Sequence, residues 1–465
     1  MINLSLLSQC PSLKTNVIFT GYLNFCTDTR KYHHPSAFVG IPGTKINPLD
    51  IIEELLKQEC PIVFYQQDKS NDEKVKNLKC LYTKTEFVPV SDSITFLQEI
   101  SHLHIKEWKA GNFQNVIFAI SGSNGKTTHK EMLSFILNEV LPGKVVFTEK
   151  NNNNHLGVPL TLLGVSDQTQ IVVLELGSNH PGEIKALCNI AQPNAGLTTN
   201  IGATHMEFFG TEQKVFEEEG YLYYAVKEVT EGNGFYLINL DDPFLSQLEP
   251  TLGSVTYGEN KAANAQVSFL ENGAEIHYKN EKFVAINSHI TGKHNKLNLI
   301  TCLFIASHFY PALKDQFAEA CKRFRPTKNR SEWIQFDNRP VYLDAYNANP
   351  SSMKAALLGF KDSVLAQGFS LTEACVVLGD MYELGDSTHH YHKEVAQYVK
   401  ELGFPNVYFI GRYSSHYLDG YPGGNSKFSI SDFKNEYRNE CLKRYAIHFI
   451  KGSRSLQLES LFDIT

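Results

Sequence analysis

The chain has 465 residues, of which 42% are apolar and 20% charged, with a formal net charge of −7 and a sequence pI near 6.2. At roughly 100 to 200 residues per domain, this length calls for two to four domains with ordinary hydrophobic cores. The negative balance speaks against a dedicated nucleic-acid binder, which carries a basic face, and no apolar run approaches the roughly 20 residues a membrane helix needs.

The opening stretch, MINLSLLSQCPSLK, lacks the basic start and long apolar run of a secretory signal. Nine cysteines are scattered without a CxxC pair, and their number is odd, which fits reduced thiols better than a disulfide framework. A cytoplasmic protein is expected, with neither nucleic acid nor membrane as a partner.

In chain order, the first hundred residues mix short β-rich pieces, SAFVGI and CPIVFYQ, with the helical stretch PLDIIEELLKQ, and read as a small α/β unit. Near Lys106 the pattern changes. NVIFAI is a short buried strand, a glycine loop follows, and HKEMLSFILNEVL repeats apolar residues at helical spacing. The strand candidates KVVFT, QIVVLELG, AGLTTNIG and GFYLINLD mostly alternate with helical segments such as PGEIKALCNIA. Continuous β-branched runs between helices indicate a parallel sheet covered on both faces. From about Phe324 a second such pattern begins, with strands PVYLDAY, ACVVLGD, NVYFIG and YAIHFIKG. The expected division is 1–106, 107–320 and 321–465, all α/β.

Residues 120–128, ISGSNGKTT, follow the strand NVIFAI and open a helix. Gly122 and Gly125 would let backbone N–H groups of Ser123 and Asn124 approach phosphates, and the helix N-terminus adds a favourable dipole. Lys126 would reach the β- and γ-phosphates, the Thr127 hydroxyl would hold Mg²⁺, and Thr128 completes the loop. The pattern GxxxxGK[ST] is not met strictly, because Ile120 stands where its first glycine belongs. The competing reading is an incidental glycine turn.

Three later segments add polar groups at strand ends. VVLELGSNHPGE ends a buried strand on Glu175, where a carboxylate needs either an ion-pair partner or a metal. TTNIGATHMEFFG places His205 similarly, as a ligand or as a capping or core histidine. NNNNHLGVPLTLL sets the amides Asn153 and Asn154 ahead of a helix. Ligands collect at the carboxyl ends of strands in open α/β sheets, so Thr127, Glu175 and His205 are expected to converge.

These segments together resemble the central ATPase domain of the Mur ligases. TGKHNKLN (291–298), NRSEW (329–333), DAYNANPSSMKAAL (344–357), LGDMYELGDSTHHYH (378–392) and KGSRS (451–455) resemble the branch of that family that adds D-alanyl-D-alanine to UDP-N-acetylmuramoyl-tripeptide. The match runs from about residue 110 to the end.

The resemblance implies three domains: a small α/β N-terminal domain, a P-loop-type ATPase domain with a mainly parallel sheet, and a Rossmann-like C-terminal domain. It implies ATP and Mg²⁺, an acyl-phosphate route to an amide bond, the two peptide substrates as partners, and a monomer. By the same resemblance Lys126 contacts the phosphates, Thr127, Glu175 and His205 hold metal, and Asn295 lies along the adenine. Arg330 would contact phosphate and Asp344 ribose, and Asn347 and Asn349 lie in the most specific motif. For Arg330 the plain alternative is a solvated linker residue, and for Asp344 a turn former.

Two departures stand out. The family carries a carbamylated lysine downstream of the histidine, and here that position is Glu219, before Gly220. Glu219 is expected either to replace the carbamate or, beside Glu217 and Glu218, to form a charged solvent face. In the first unit TDTRK and AFVGIPG resemble a uridine-nucleotide segment, with Thr29 and Arg30 as candidate contacts, but INPLD stands where an Asp-Gly-His turn is usual. A ligase with another acceptor, or a weak nucleotide-binding homologue acting as a regulator or scaffold, are the competing functions.

Overall fold

The computed structural model describes residues 1–462, which build three α/β units, each on its own sheet. The first sheet has five strands in the order 2–3, 22–26, 36–40, 62–66 and 86–90, parallel except for the first pair. The second has nine, ordered 281–286, 273–278, 265–270, 254–258, 235–239, 195–198, 116–121, 171–175 and 145–147. The third has six, ordered 332–336, 339–344, 447–451, 374–379, 407–410 and 425–427, with only the edge pair 332–336/339–344 antiparallel.

The continuous apolar runs form strands because helices cover both of their faces. Every residue of Val116–Ser121 and Ile171–Glu175 is buried. Alternate residues of Val116–Ser121 face opposite cores: Ile117 and Ala119 join one cluster, and Val116, Phe118 and Ile120 the other. The second face is closed by Lys126–Val140, Lys293–Phe309 and Lys314–Arg323, whose residues Leu133, Leu303 and Phe317 are all buried in it.

Two features lie outside the sequence expectations. Residues 265–286 fold as two successive antiparallel hairpins, which extend an otherwise parallel sheet. Their signal is period-two burial, as in Ala265–Leu270, where Ala265 and Val267 are buried and Gln266 and Ser268 exposed. Second, the helix Ser93–Gly111 runs across residue 106. Its first half packs Phe96, Leu97 and Ile100 on the first sheet, while Ile105 and Trp108 enter the core of the second unit. The cysteines are all free, and among the described residues no helix is long and apolar enough to cross a membrane.

Candidate active site

At the end of strand Val116–Ser121 the chain turns through Gly122, whose φ is +119°. A Cβ there would stand 2.2 Å from the Thr199 hydroxyl, so only glycine fits. Gly125, at φ +80°, turns the chain into the helix Lys126–Val140. Between them the loop is lashed to the end of the neighbouring strand. Ser123 N donates to Asn200 O (2.8 Å), and Asn124 O accepts from Thr199 Oγ1 (2.6 Å) and Asn200 Nδ2 (3.0 Å). The Ser123 hydroxyl accepts from Gly202 N at 2.9 Å. The result is a held glycine loop at a helix N-terminus, a shape suited to an anion.

Thr127 and Glu175 meet as expected. Glu175 Oε1 accepts from Thr127 Oγ1 and from Asn153 Nδ2, both at 2.9 Å. Glu175 Oε2 is buried and has no hydrogen-bond partner among the described residues. An orphaned carboxylate oxygen beside a threonine hydroxyl is a costly arrangement that a hard cation would satisfy.

His205 does not share that contact. It sits at φ +49° before the short helix Met206–Phe209, and its Nδ1 lies 2.6 Å from Glu383 Oε2 of the third unit. The imidazole holds the Glu383 carboxyl below its ordinary range. No hydrogen bond or ion pair joins His205 to Thr127 or Glu175, and no group of three or more His, Cys, Asp or Glu side chains placed to hold a metal occurs among the described residues. Thr127 and Glu175 are thus in direct contact, while His205 is engaged with Glu383 across the domain junction.

Glu219 is not on a solvent face. It ends the helix Glu212–Glu219 with 1% of its surface exposed. Its Oε2 accepts from Gly122 N at 2.7 Å, and Oε1 lies 3.4 Å from Lys126 Nζ. Lys126 also donates to Gly122 O. Burial raises the Glu219 carboxyl, while Lys126 and the Gly122 amide pull it back. Neighbouring Glu218 is buried too, accepting from Ser178 Oγ, Gly182 N and Ile184 N. Glu217 alone of the three is left to solvent.

The third unit reaches the loop directly. Asn349 Nδ2 donates to Asn124 Oδ1, and Asn124 Nδ2 donates to Ser351 Oγ, both at 2.7 Å. Asn349 also caps the helix Pro350–Ala366 through Ser352 N. Asp344 pairs with the buried Lys451 at 2.7 Å, and Lys451 donates further to Asn347 O. A small cleft between the units is lined by Thr128, Glu131, Asn295 and Arg330 together with Met132, Ile290 and Phe324. The Arg330 guanidinium lies 3.7 Å over the Tyr346 ring, rather than in solvent as a free linker residue would.

Other candidates serve locally. Asn154 Oδ1 accepts from Leu156 N and Gly157 N at the start of the helix Gly157–Leu163. In the first unit Thr29 opens a turn capped by Asp28. Arg30 folds back on that aspartate through Nε (2.9 Å) and Nη2 (2.8 Å), and its hydrogen bonds hold the carboxyl down to about 2. Sequence reasoning passed over Asn200, Glu383 and Lys451. All three lie inside segments already singled out, NIGATH, YELG and KGSRS, but their roles need the third dimension.

Residues 120–306 match the family model for the Mur ligase middle domain, and residues 329–432 that for the Mur ligase, glutamate ligase domain. The UDP-N-acetylmuramoyl-tripeptide–D-alanyl-D-alanine ligase of Bacillus subtilis is 29% identical over 448 residues, spanning 94% of this chain and 91% of that one. Its namesake in Rickettsia prowazekii is 27% identical over 442 residues, spanning 92% and 91%. A crystal structure of MurF from Acinetobacter baumannii has the same fold, with a TM-score of 0.80 at 23% identity over 99% of this chain and 98% of that one. MurF of Thermotoga maritima in complex with ADP gives 0.73 at 21% identity over 95% and 96%.

Proposed function

The chain belongs to the Mur ligase family, and we propose that it is the ATP-dependent ligase that adds D-alanyl-D-alanine to UDP-N-acetylmuramoyl-tripeptide in peptidoglycan synthesis. One observation carries this reading. The segment YNANPSSM of the third unit is bonded to the phosphate loop of the second through Asn349, Ser351 and Asn124. This joins the glycine loop of the second unit to the segment that follows the strand Arg339–Asp344 of the third.

The chemistry follows from the poor electrophilicity of a carboxylate. Phosphoryl transfer from ATP to the tripeptide carboxylate forms a C–O–P linkage and releases ADP. The dipeptide amine then attacks the acyl carbon, and phosphate departs from the tetrahedral intermediate while the amine loses its proton. Lys126 and the loop N–H groups offset the charge of two anions brought together. The adenine would lie in the cleft against Asn295 and Arg330, and Asp344 would face the ribose. Contact between the units assembles the site and excludes water from the acyl phosphate.

Thr127 and Glu175 fit a magnesium ion, because the buried Glu175 Oε2 lacks a partner. When bound, the ion would supply charge neutralisation at the phosphates. His205 would sit farther along, where it ties the second unit to Glu383. The first unit would receive the UDP-sugar, with Thr29 and Arg30 at its edge. One observation favours a different nucleotide-linked acceptor: Arg30 spends its guanidinium on Asp28.

The test is to supply ATP, Mg²⁺, UDP-N-acetylmuramoyl-tripeptide and D-alanyl-D-alanine to the whole protein and to follow phosphate release and product mass. A product heavier by the dipeptide, with stoichiometric phosphate, is expected. ATP binding without either product would sink the proposal for this acceptor.

A further inference from the structure

The element least explained by that reaction is Glu219, an acidic side chain fully buried against a loop meant for anions. Its environment is built rather than incidental. Its backbone carbonyl accepts from the Ser121 and Thr198 hydroxyls at 2.7 and 3.3 Å, which fixes the helix end against two strand ends. From that anchor the carboxylate divides its oxygens, one on the Gly122 N–H and one facing Lys126 Nζ. Gly122 is the residue at which the strand becomes the loop, and its backbone adopts a φ of +119° that nothing but glycine holds comfortably. A charge-assisted bond to that amide at 2.7 Å is the strong kind.

The lysine side is different in character. At 3.4 Å the Lys126–Glu219 contact is long for a hydrogen bond, and Lys126 keeps 14% of its side chain exposed against 1% for Glu219. Glu219 is fully buried, whereas Lys126 is the partly exposed member of the pair and is shared between Glu219 and Gly122 O. We infer that Glu219 is a positioning residue of the phosphate loop: one oxygen holds the Gly122 amide permanently, and the other parks Lys126 until a polyphosphate takes the lysine over. This rests on the reading of the loop as the ATP site. It adds an exchange step in which the lysine leaves one anion for another while the loop keeps its shape.

The two jobs separate by substitution. Glu219→Gln keeps an acceptor for Gly122 N but removes the charge competing for Lys126, so ADP and ATP should bind about fivefold more tightly than to the unaltered protein. Glu219→Ala also removes the acceptor, leaves a buried amide unpaired and should weaken binding. In a Lys126→Gln background the Glu219→Gln gain should vanish, because it acts through the lysine.

Calorimetric titration of the whole chain with ADP and with ATP reads all of these. Equal or weaker binding by Glu219→Gln overturns the inference, as does a gain that persists without Lys126, which would indicate plain repulsion between carboxylate and phosphate. Should the Gln variant not fold, amide exchange in the unaltered protein decides. Gly122 N–H is expected to be slow both with and without nucleotide, and rapid exchange without it overturns the assignment. Failure of the unaltered chain to bind any nucleotide would instead remove the ATP reading itself.

Discussion

At the residue scale, the buried carboxylates Glu175, Glu218 and Glu219 are held for different reasons, and each makes its own prediction. Glu175 is the metal candidate. Glu175→Gln should abolish magnesium-dependent turnover while sparing metal-free ADP binding, and a variant that still turns over with magnesium would remove Glu175 from the ion's shell. Glu219 is the loop's counter-charge, and its carboxyl is raised by burial. A raised value favours the protonated form in the folded protein. That stabilisation is complete below the ordinary carboxylate range and is lost as pH rises through the raised value. Relative to Glu219→Gln, the unaltered protein should therefore lose melting temperature as pH rises above the ordinary carboxylate range. Parallel melting curves above that range would contradict the burial cost. The pattern EEE gave no way to tell these neighbours apart. Helix spacing of about 100° per residue sends Glu217 to solvent and Glu218 and Glu219 inward, but which face is inward depends on what the helix packs against.

At the scale of elements, the helix Glu183–Ala191 shows how a buried charge can serve structure alone. It begins at Gly182, in the left-handed region and without a side-chain cap of its own. Glu218, from another helix, supplies what is missing by accepting from Gly182 N at 2.6 Å and Ile184 N at 2.7 Å, with Ser178 Oγ at 2.9 Å. Those are orphan donors at a helix start, where a carboxylate also answers the helix dipole. Glu218→Ala leaves them buried and unpaired and should cost about 3 kcal/mol in urea unfolding, whereas Ser178→Ala should cost about 1 kcal/mol. Losses of equal size would mean that the carboxylate is not the cap.

The elements themselves were largely legible in the sequence. Strands such as Val116–Ser121 and Ile171–Glu175 are continuous apolar runs buried on both faces, and the glycines of the loop announce its turn. The hairpins over 265–286 were less so, because their strands alternate weakly and no Asn-Gly pair occupies a turn centre. The helix Ser93–Gly111 hid the first boundary, since its two halves serve different cores without any change in helical pattern.

At the scale of the whole molecule, the site exists only because the second and third units touch, and this is what a sequence does not display. Asn124 and Asn349 lie 225 positions apart, yet they share a 2.7 Å hydrogen bond. His205 and Glu383 close a second contact, and the Trp333 indole donates to Thr291 Oγ1 at 3.0 Å near the chain crossing. Each is a modest interaction, of about 1 kcal/mol or less where solvent reaches it. Such contacts hold the units together without freezing them, as a ligase that must admit ATP and two further substrates and release ADP, phosphate and the joined product requires.

Asn124 is the useful probe, because its side chain reaches the third unit, bonding to Ser351 and Asn349 as well as to Asn200. Asn124→Ala keeps the glycines, Lys126 and Thr127. ADP affinity should change by less than about twofold, while kcat falls about tenfold or more as the third unit loses its hold on the loop. Solution scattering of the nucleotide-free variant should show a larger radius of gyration than the parent. If affinity and kcat fall together with no change in dimensions, Asn124 shapes the loop only, and closure must be held by the His205–Glu383 pair. Glu383→Gln would then produce the expansion that Asn124→Ala did not.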